Sequence, residues 1–381
     1  MTDEPHIGTI KLWVTEPLPP DVSRSLQRLA QSDDVCHVAV MPDVHLAGDV
    51  CNGTAISTRN QIYPSAVGGD IGCGMLAIAC GLAADVLSNE VTAGRVLAEL
   101  NRWIPSNKHL RQRVPEQLPG GLVEHSLSSS TLENSKARDG RFQLGTLGRG
   151  NHFVELQSDS DGQLWLMVHS GSRAMGQAIT AHHMKRTMPS RSGLRYLDAS
   201  SPDGLAYLSD VDWAIEYARQ NRLAMAHAVE SFMNAMFSSL FDWSTLIHCH
   251  HNHVRREVHF GEELWVHRKG ALPAGENEPG VIPGSMGTHS FHVAGRGESL
   301  SLRSSSHGAG RTVARHLARQ TISRRDLNLQ MKGIWFDQRR ADALRDEAPS
   351  AYKVIHRVMR AQRELTRIIR ELKPVLAYKG V

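Results

Sequence analysis

The sequence predicts an α+β fold, one domain over residues 1–381 with β-sheets at its core and helices outside. Three observations predict it. Short β-type apolar runs recur along most of the chain, and long helical segments stand between them. No internal repeat occurs at solenoid periods. The 41% apolar content over 381 residues is enough material for a large core.

Taken in order, Ile7 to Val14 alternates as a strand does, and Pro20 to Gln31 reads as a helix that begins near Asp21. Val35 to Met41 is a β-type run ending at Pro42-Asp43-Val44-His45. Met75 to Cys80 is a buried strand, and Ala84 to Ile104 is helical. Residues 105–150 are loop-rich, with a mobile serine-rich stretch at 126–130. Phe153 to Leu156 and Leu164 to Val168 pair across the polar turn at 158–162. Asp212 to Leu240 is a long helix, with Val229, Phe232, Met233, Met236 and Phe237 at core-facing spacing. Residues 256–300 are β-rich with Gly and Pro breaks. Arg311 to Gln320 and Ala348 to Leu372 are helices. On the last, Arg360, Arg363, Arg367 and Arg370 trace a basic face, which is either simply solvated or in contact with RNA.

Composition narrows the class. No run approaches the ~18 apolar residues of a membrane span. The acidic start Met1-Thr2-Asp3-Glu4-Pro5 lacks the apolar core of a signal peptide. Five scattered cysteines do not form a disulfide framework, so a reducing, cytoplasmic setting is expected. The net +4 conceals an asymmetry: residues 301–381 carry 18 Lys/Arg against 7 Asp/Glu, a net +11, and the rest of the chain is acidic. That basic fifth suggests an anionic partner, nucleic acid foremost.

The chemistry centres on Val67-Gly68-Gly69-Asp70-Ile71-Gly72-Cys73-Gly74-Met75, four glycines among nine residues. A carboxylate and a thiol in one glycine-rich turn can ligate a metal together. The plainer reading is a tight turn around a buried, inert cysteine. Four more clusters weigh against it: Gly148 to Glu155, with Asn151, His152 and Glu155; His169-Ser170-Gly171-Ser172-Arg173; the histidine run His248 to His253; and Ser304 to Arg311, a small-residue loop around His307. Donors drawn from distant segments at strand-to-loop junctions fit a catalytic metal site better than a zinc finger. Chemistry alone leaves His250 and His251 equivalent. A Cys/His set on its own would favour zinc or iron.

Gly69 to Gly74, Gly150 to Glu155, His169 to Arg173, His251-Asn252, Pro283 to Thr288, Ser306 to Arg311, Glu347-Ala348-Pro349 with Tyr352-Lys353, and Tyr378-Lys379-Gly380 together resemble the RtcB family of RNA ligases. The motifs run in family order from about residue 40 to the C-terminus. The resemblance implies a GTP- and Mn2+-dependent ligase acting in RNA repair or tRNA splicing. It would join RNA with a 3′-phosphate or 2′,3′-cyclic phosphate to RNA with a 5′-hydroxyl. It further implies that Asp70, Cys73 and His152 hold one Mn2+, and that Cys73, His169 and His251 hold a second, with the thiolate bridging the two. His307 would be the nucleophile that becomes guanylylated. Asn151, Glu155, Ser285, Tyr352, Lys379 and Asp43 would surround the guanylate, and Arg173 and Arg311 would contact phosphate or RNA. The alternative is a metal-dependent RNA phosphodiesterase that opens cyclic phosphates without ligation.

Overall fold

A computed structural model describes residues 8–14 and 16–380. The acidic start and Ile7, where the first strand was expected to begin, lie outside the described residues. The remainder of that strand is Thr9–Leu12.

Two large sheets carry the site. The first runs, edge to edge, through Asp242–His250, Gly74–Ala83, Gln163–Ser170, Phe153–Ser158, Thr366–Lys379, Ser290–Gly295 and Pro279–Ile282. All its pairings are antiparallel. The second runs through Thr9–Leu12, Val35–His45, Asn52–Thr58, Glu262–Lys269 and Asn252–His259. Its only parallel pair is the first two strands. The central strands are apolar along nearly their whole length, as strands covered on both faces must be. Leu76, Ile78, Val154, Leu156, Leu166 and Val168 are fully buried in one cluster with Met225, Val229 and Met233.

Those last three residues belong to the helix Pro202–Phe237, which starts ten residues before the expected Asp212. Its start is set by the Ser201 side chain, which accepts from the Gly204 N–H, and by Pro202 in the first turn. It stops where Ser238 turns left-handed at φ 54. The Met and aromatic stripe is core packing, as its spacing predicts. The expected Ala84 to Ile104 helix is divided into a short 3-10 turn, Ala84–Leu87, and a helix, Glu90–Trp103, that Asn89 caps. Serines 128 and 129 are tied down: Ser128 gives both its N–H and its hydroxyl to Asp210, and Ser129 caps the helix Ser130–Ser135.

The C-terminal expectation needs correcting. The Ala348 to Leu372 helix is only Ile355–Ala361, and Thr366–Lys379 is a strand. Its apolar residues had read equally well at helical spacing. Pairing on both sides decides the matter, because the segment fills the gap between Phe153–Ser158 and Ser290–Gly295. Thr366, Ile368 and Ile369 are β-branched and suit that position. The basic helix face therefore does not exist, since Arg367 and Arg370 sit on the strand. Arg311 to Gln320 is likewise shorter: its helix is Arg315–Thr321, because Arg311 is held in a bridge to Tyr352. Residues 256–300 are β-rich as expected. Among the described residues, no helix is long and apolar enough to cross a membrane.

Candidate active site

Strand register brings the donors to one end of the first sheet. Gly74 pairs with Ser170 on one side and His250 on the other, and Phe153 pairs with His169. Cys73, His152 and His169 therefore meet where the three strands end. His251 joins them because the chain leaves the first sheet after His250 and enters the second at Asn252. Its N–H donates to the Cys73 carbonyl at 2.8 Å. The glycines permit this convergence. Gly72 has φ 72, and a Cβ there would stand 2.9 Å from the Ile215 Cα of the long helix.

The donor atoms crowd together. Cys73 Sγ lies 3.5 Å from His152 Nε2 and 3.3 Å from His169 Nε2. His169 Nε2 is 3.4 Å from His251 Nε2, and Asp70 Oδ2 is 2.9 Å from His152 Nε2. Two ligand sets result, Asp70–Cys73–His152 and Cys73–His169–His251, sharing the sulfur. The His169 Nδ1–H donates to the Asn151 carbonyl at 3.2 Å, so its Nε2 turns a lone pair toward the cluster. Burial holds His169 and His251 well below the usual imidazole range, in the neutral form that ligates metal. At Asp70 burial acts upward, but the His152 hydrogen bond and charge outweigh it and keep the carboxylate ionised. Burial, reinforced by Asp70, pushes the Cys73 thiol well up. A cation reverses that last effect by stabilising thiolate. Asp70 Oδ1 is buried and has no hydrogen-bond partner among the described residues. Facing lone pairs, a shared sulfur and an unpaired carboxylate oxygen fit a pair of divalent cations.

His250, the other member of the histidine pair, points away. Its Nδ1 accepts from Arg222 at 2.9 Å, and burial and that charge push it down to about 3. Arg222 was not foreseen. It is wholly buried in the long helix and donates to the Gly72 and Ser170 carbonyls at 2.9 and 2.6 Å, and to His248 Nε2 at 2.8 Å. It thus braces both turns that carry candidate metal donors. Beside it, Asn221 donates to Ser170 Oγ and accepts from the Gly145 and Thr146 N–H groups. A sequence signal for Arg222 existed: it stands on the same helical face as the buried Ala218, Met225 and Val229.

A cleft of about 230 Å³ opens beside the cluster. His307 stands between them, its ring centroid 4.6 Å from that of His251. The fully buried Asp43 accepts from His307 Nδ1 at 2.7 Å and from its N–H at 3.1 Å. In the neutral ring, that bond puts the proton on Nδ1 and the lone pair on Nε2. Asn151, Glu155, Ser285, Arg311, Tyr352 and Lys379 all line the cleft. Glu155 is buried, and desolvation raises its carboxyl to about 8 against the Gln157 hydrogen bond and the Lys379 charge. Arg173 does not line it. That residue sits behind the cluster at φ 58, bonded to Thr146 Oγ1 and the Ser106 carbonyl.

Glu347 organises the far wall and was quoted in the sequence only as part of a motif. Buried beneath the cleft, it takes a short ion pair from Lys379 Nζ, and bonds from Arg311 at 3.3 Å, Arg315 at 2.6 Å and the Tyr352 hydroxyl at 2.9 Å. Burial would raise its carboxyl, but Lys379 and Arg315 hold it below the usual range. Three cations around one carboxylate leave the wall positive.

Fold and site first define a class: an α+β protein whose candidate two-metal centre opens, past a histidine, onto a cationic cleft. A family model described as tRNA-splicing ligase RtcB matches residues 25–380. RNA-splicing ligase RtcB1 from one strain of Escherichia coli is 37% identical, covering 97% of both chains. RNA-splicing ligase RtcB from another strain is 36% identical over the same shares. The tRNA-splicing ligase RtcB of Thermococcus kodakarensis is 29% identical over 90% of this chain and 87% of its own. The chain belongs to the RtcB family and is an RNA ligase.

Proposed function

We propose that this ligase is GTP- and Mn2+-dependent and works through a guanylylated His307. It would join RNA 3′-phosphate or 2′,3′-cyclic phosphate ends to 5′-hydroxyl ends. The observation that carries the reading is the placement of His307. Asp43 fixes its tautomer, its ring touches that of His251, and it faces a cationic cleft.

In this reading Asp70, Cys73 and His152 hold one cation and Cys73, His169 and His251 the other. Bound there, two Mn2+ ions would withdraw charge from phosphoryl oxygens. His307 Nε2 attacks the GTP α-phosphorus and pyrophosphate leaves, while Asp43 stabilises the charge that develops on the ring. Arg311, in the wall that Glu347 orders, faces the negative phosphates. Asn151, Glu155, Ser285, Tyr352 and Lys379 enclose the guanylate. The RNA 3′-phosphate then takes GMP from His307, and the 5′-hydroxyl displaces GMP from the activated end. A cyclic end is first opened by water. Arg173, bonded to Thr146 Oγ1 and the Ser106 carbonyl beside the cluster, is the candidate for a phosphate or RNA contact outside the cleft.

Ligation of RNA with defined ends, run with GTP and Mn2+, tests the reading. It expects ligated product from the wild type and none from Cys73→Ala. Opening of cyclic ends without GTP-dependent joining would favour the phosphodiesterase instead.

A further inference from the structure

We propose that His289, His356 and Glu371 form a second, surface zinc site on the far strands of the first sheet. Three separate segments supply it. His289 immediately precedes the strand Ser290–Gly295, and Glu371 lies opposite Phe291 on Thr366–Lys379. Alternation along the strand puts residues 289 and 291 on one face, so both share a face with Glu371. His356 comes from the helix Ile355–Ala361, which is pressed onto that face by Ile355, Val358 and Met359. Its ring stands edge-on to Phe291 at 5.6 Å.

The donors converge as a tetrahedral ion requires. Their ligand atoms all lie within 4.8 Å of one another. His289 Nδ1 makes a short contact with Glu371 Oε1, and His356 Nε2 is 3.7 Å from the same oxygen. The two imidazoles stand nearly perpendicular, at 82° with centroids 5.4 Å apart. Zinc bonds of roughly 2.0–2.2 Å to nitrogen and oxygen set tetrahedral ligand atoms about 3.4 Å apart. Small rotamer adjustments reach that spacing. Side chains 32%, 50% and 45% exposed leave the fourth position to water or a further ligand. The neighbouring Arg370 does not compete for Glu371, because it faces the other side and pairs with Asp159 at 3.1 Å.

Two imidazoles and a carboxylate are donors that zinc favours. No sulfur takes part, which separates this site from the cluster around Cys73. An ion here would pin the helix Ile355–Ala361 to the sheet three residues after Tyr352 of the cleft. The inference does not depend on the guanylylation reading.

Equilibrium dialysis of the full-length protein against zinc at neutral pH tests it, with His356→Ala and Glu371→Gln in parallel. The wild type is expected to bind one zinc per chain more than either variant. Loading with cobalt should give a wild-type-minus-variant spectrum with tetrahedral d–d bands and no sulfur-to-metal charge-transfer band. Both substitutions are at exposed positions, and circular dichroism checks that the fold is kept. Equal zinc counts in all three proteins, or a difference spectrum carrying the sulfur band, would overturn the proposal.

Discussion

His307 and Asp43 behave as one unit at the scale of single residues. Asp43 is buried, and both hydrogen bonds to residue 307 end on its Oδ2. Asp43→Asn keeps the shape but can present an N–H where an acceptor is needed. It should slow nucleotide transfer on the order of 10²–10⁴-fold, the scale of losing a group that orients a catalytic imidazole. Single-turnover kinetics would measure this, and a change below about tenfold would remove Asp43 from the unit. Glu155 gives a pH prediction. Its carboxyl is raised from 4.5 to about 8 in the folded chain. Between those values the folded state holds the proton and the unfolded state does not. Stability from this group is therefore full below about pH 4.5 and is lost as pH rises through about 8. Glu155→Gln should raise Tm relative to wild type at pH 9 more than at pH 5. A pH-independent difference in melting scans would contradict that.

At the scale of elements, the helix Pro202–Phe237 does two jobs. Its apolar face covers the sheet, and Arg222 and Asn221 bind the turns at the strand ends. Met225→Ala should cost about 2–5 kcal/mol in denaturant unfolding, the range for truncating a buried side chain. It should leave metal content unchanged. Arg222→Met removes the bonds to the Gly72 and Ser170 carbonyls. It should lower metal retention as well as stability, by about 1.5–3 kcal/mol for each charged hydrogen bond lost. Dialysis followed by metal analysis separates the two variants, and equal metal loss would mean Arg222 only packs. This helix was legible because its period is long and its apolar face continuous. The strand Thr366–Lys379 was not, because Leu365, Ile369 and Leu372 also fit a 3.6-residue period. Its identity lies in two partner strands distant in sequence, as central strands often require.

At the scale of the whole molecule, Asp70, Cys73, His152 and His169 could be singled out because each lies within two residues of a glycine near a strand end, whereas His251 has no glycine beside it. Only the resemblance picked His251 over His250; residue chemistry left the two open, because the crossing between sheets that separates them is recorded in no local pattern. Arg222 and Glu347 were missed because each acts through burial, and burial of a charge is a property of the assembled fold. The net +11 of residues 301–381 is partly spent internally. Arg311, Arg315, Arg319 and Lys379 pair with Asp346 and Glu347. The cations left over are expected to bind RNA phosphates, so affinity should fall linearly with log salt. Filter binding at several ionic strengths would measure the slope, and a flat profile would exclude phosphate contacts.

The central claim is that the position 307 imidazole, poised between the cluster and the cleft, takes up a nucleotide. The most direct measurement is incubation of the full-length protein with α-labelled GTP and Mn2+, followed by peptide mass spectrometry. The account predicts one covalent GMP per chain on His307, absent from His307→Ala. A wild-type protein that joins RNA ends yet carries no label, or carries it on another residue, would contradict it.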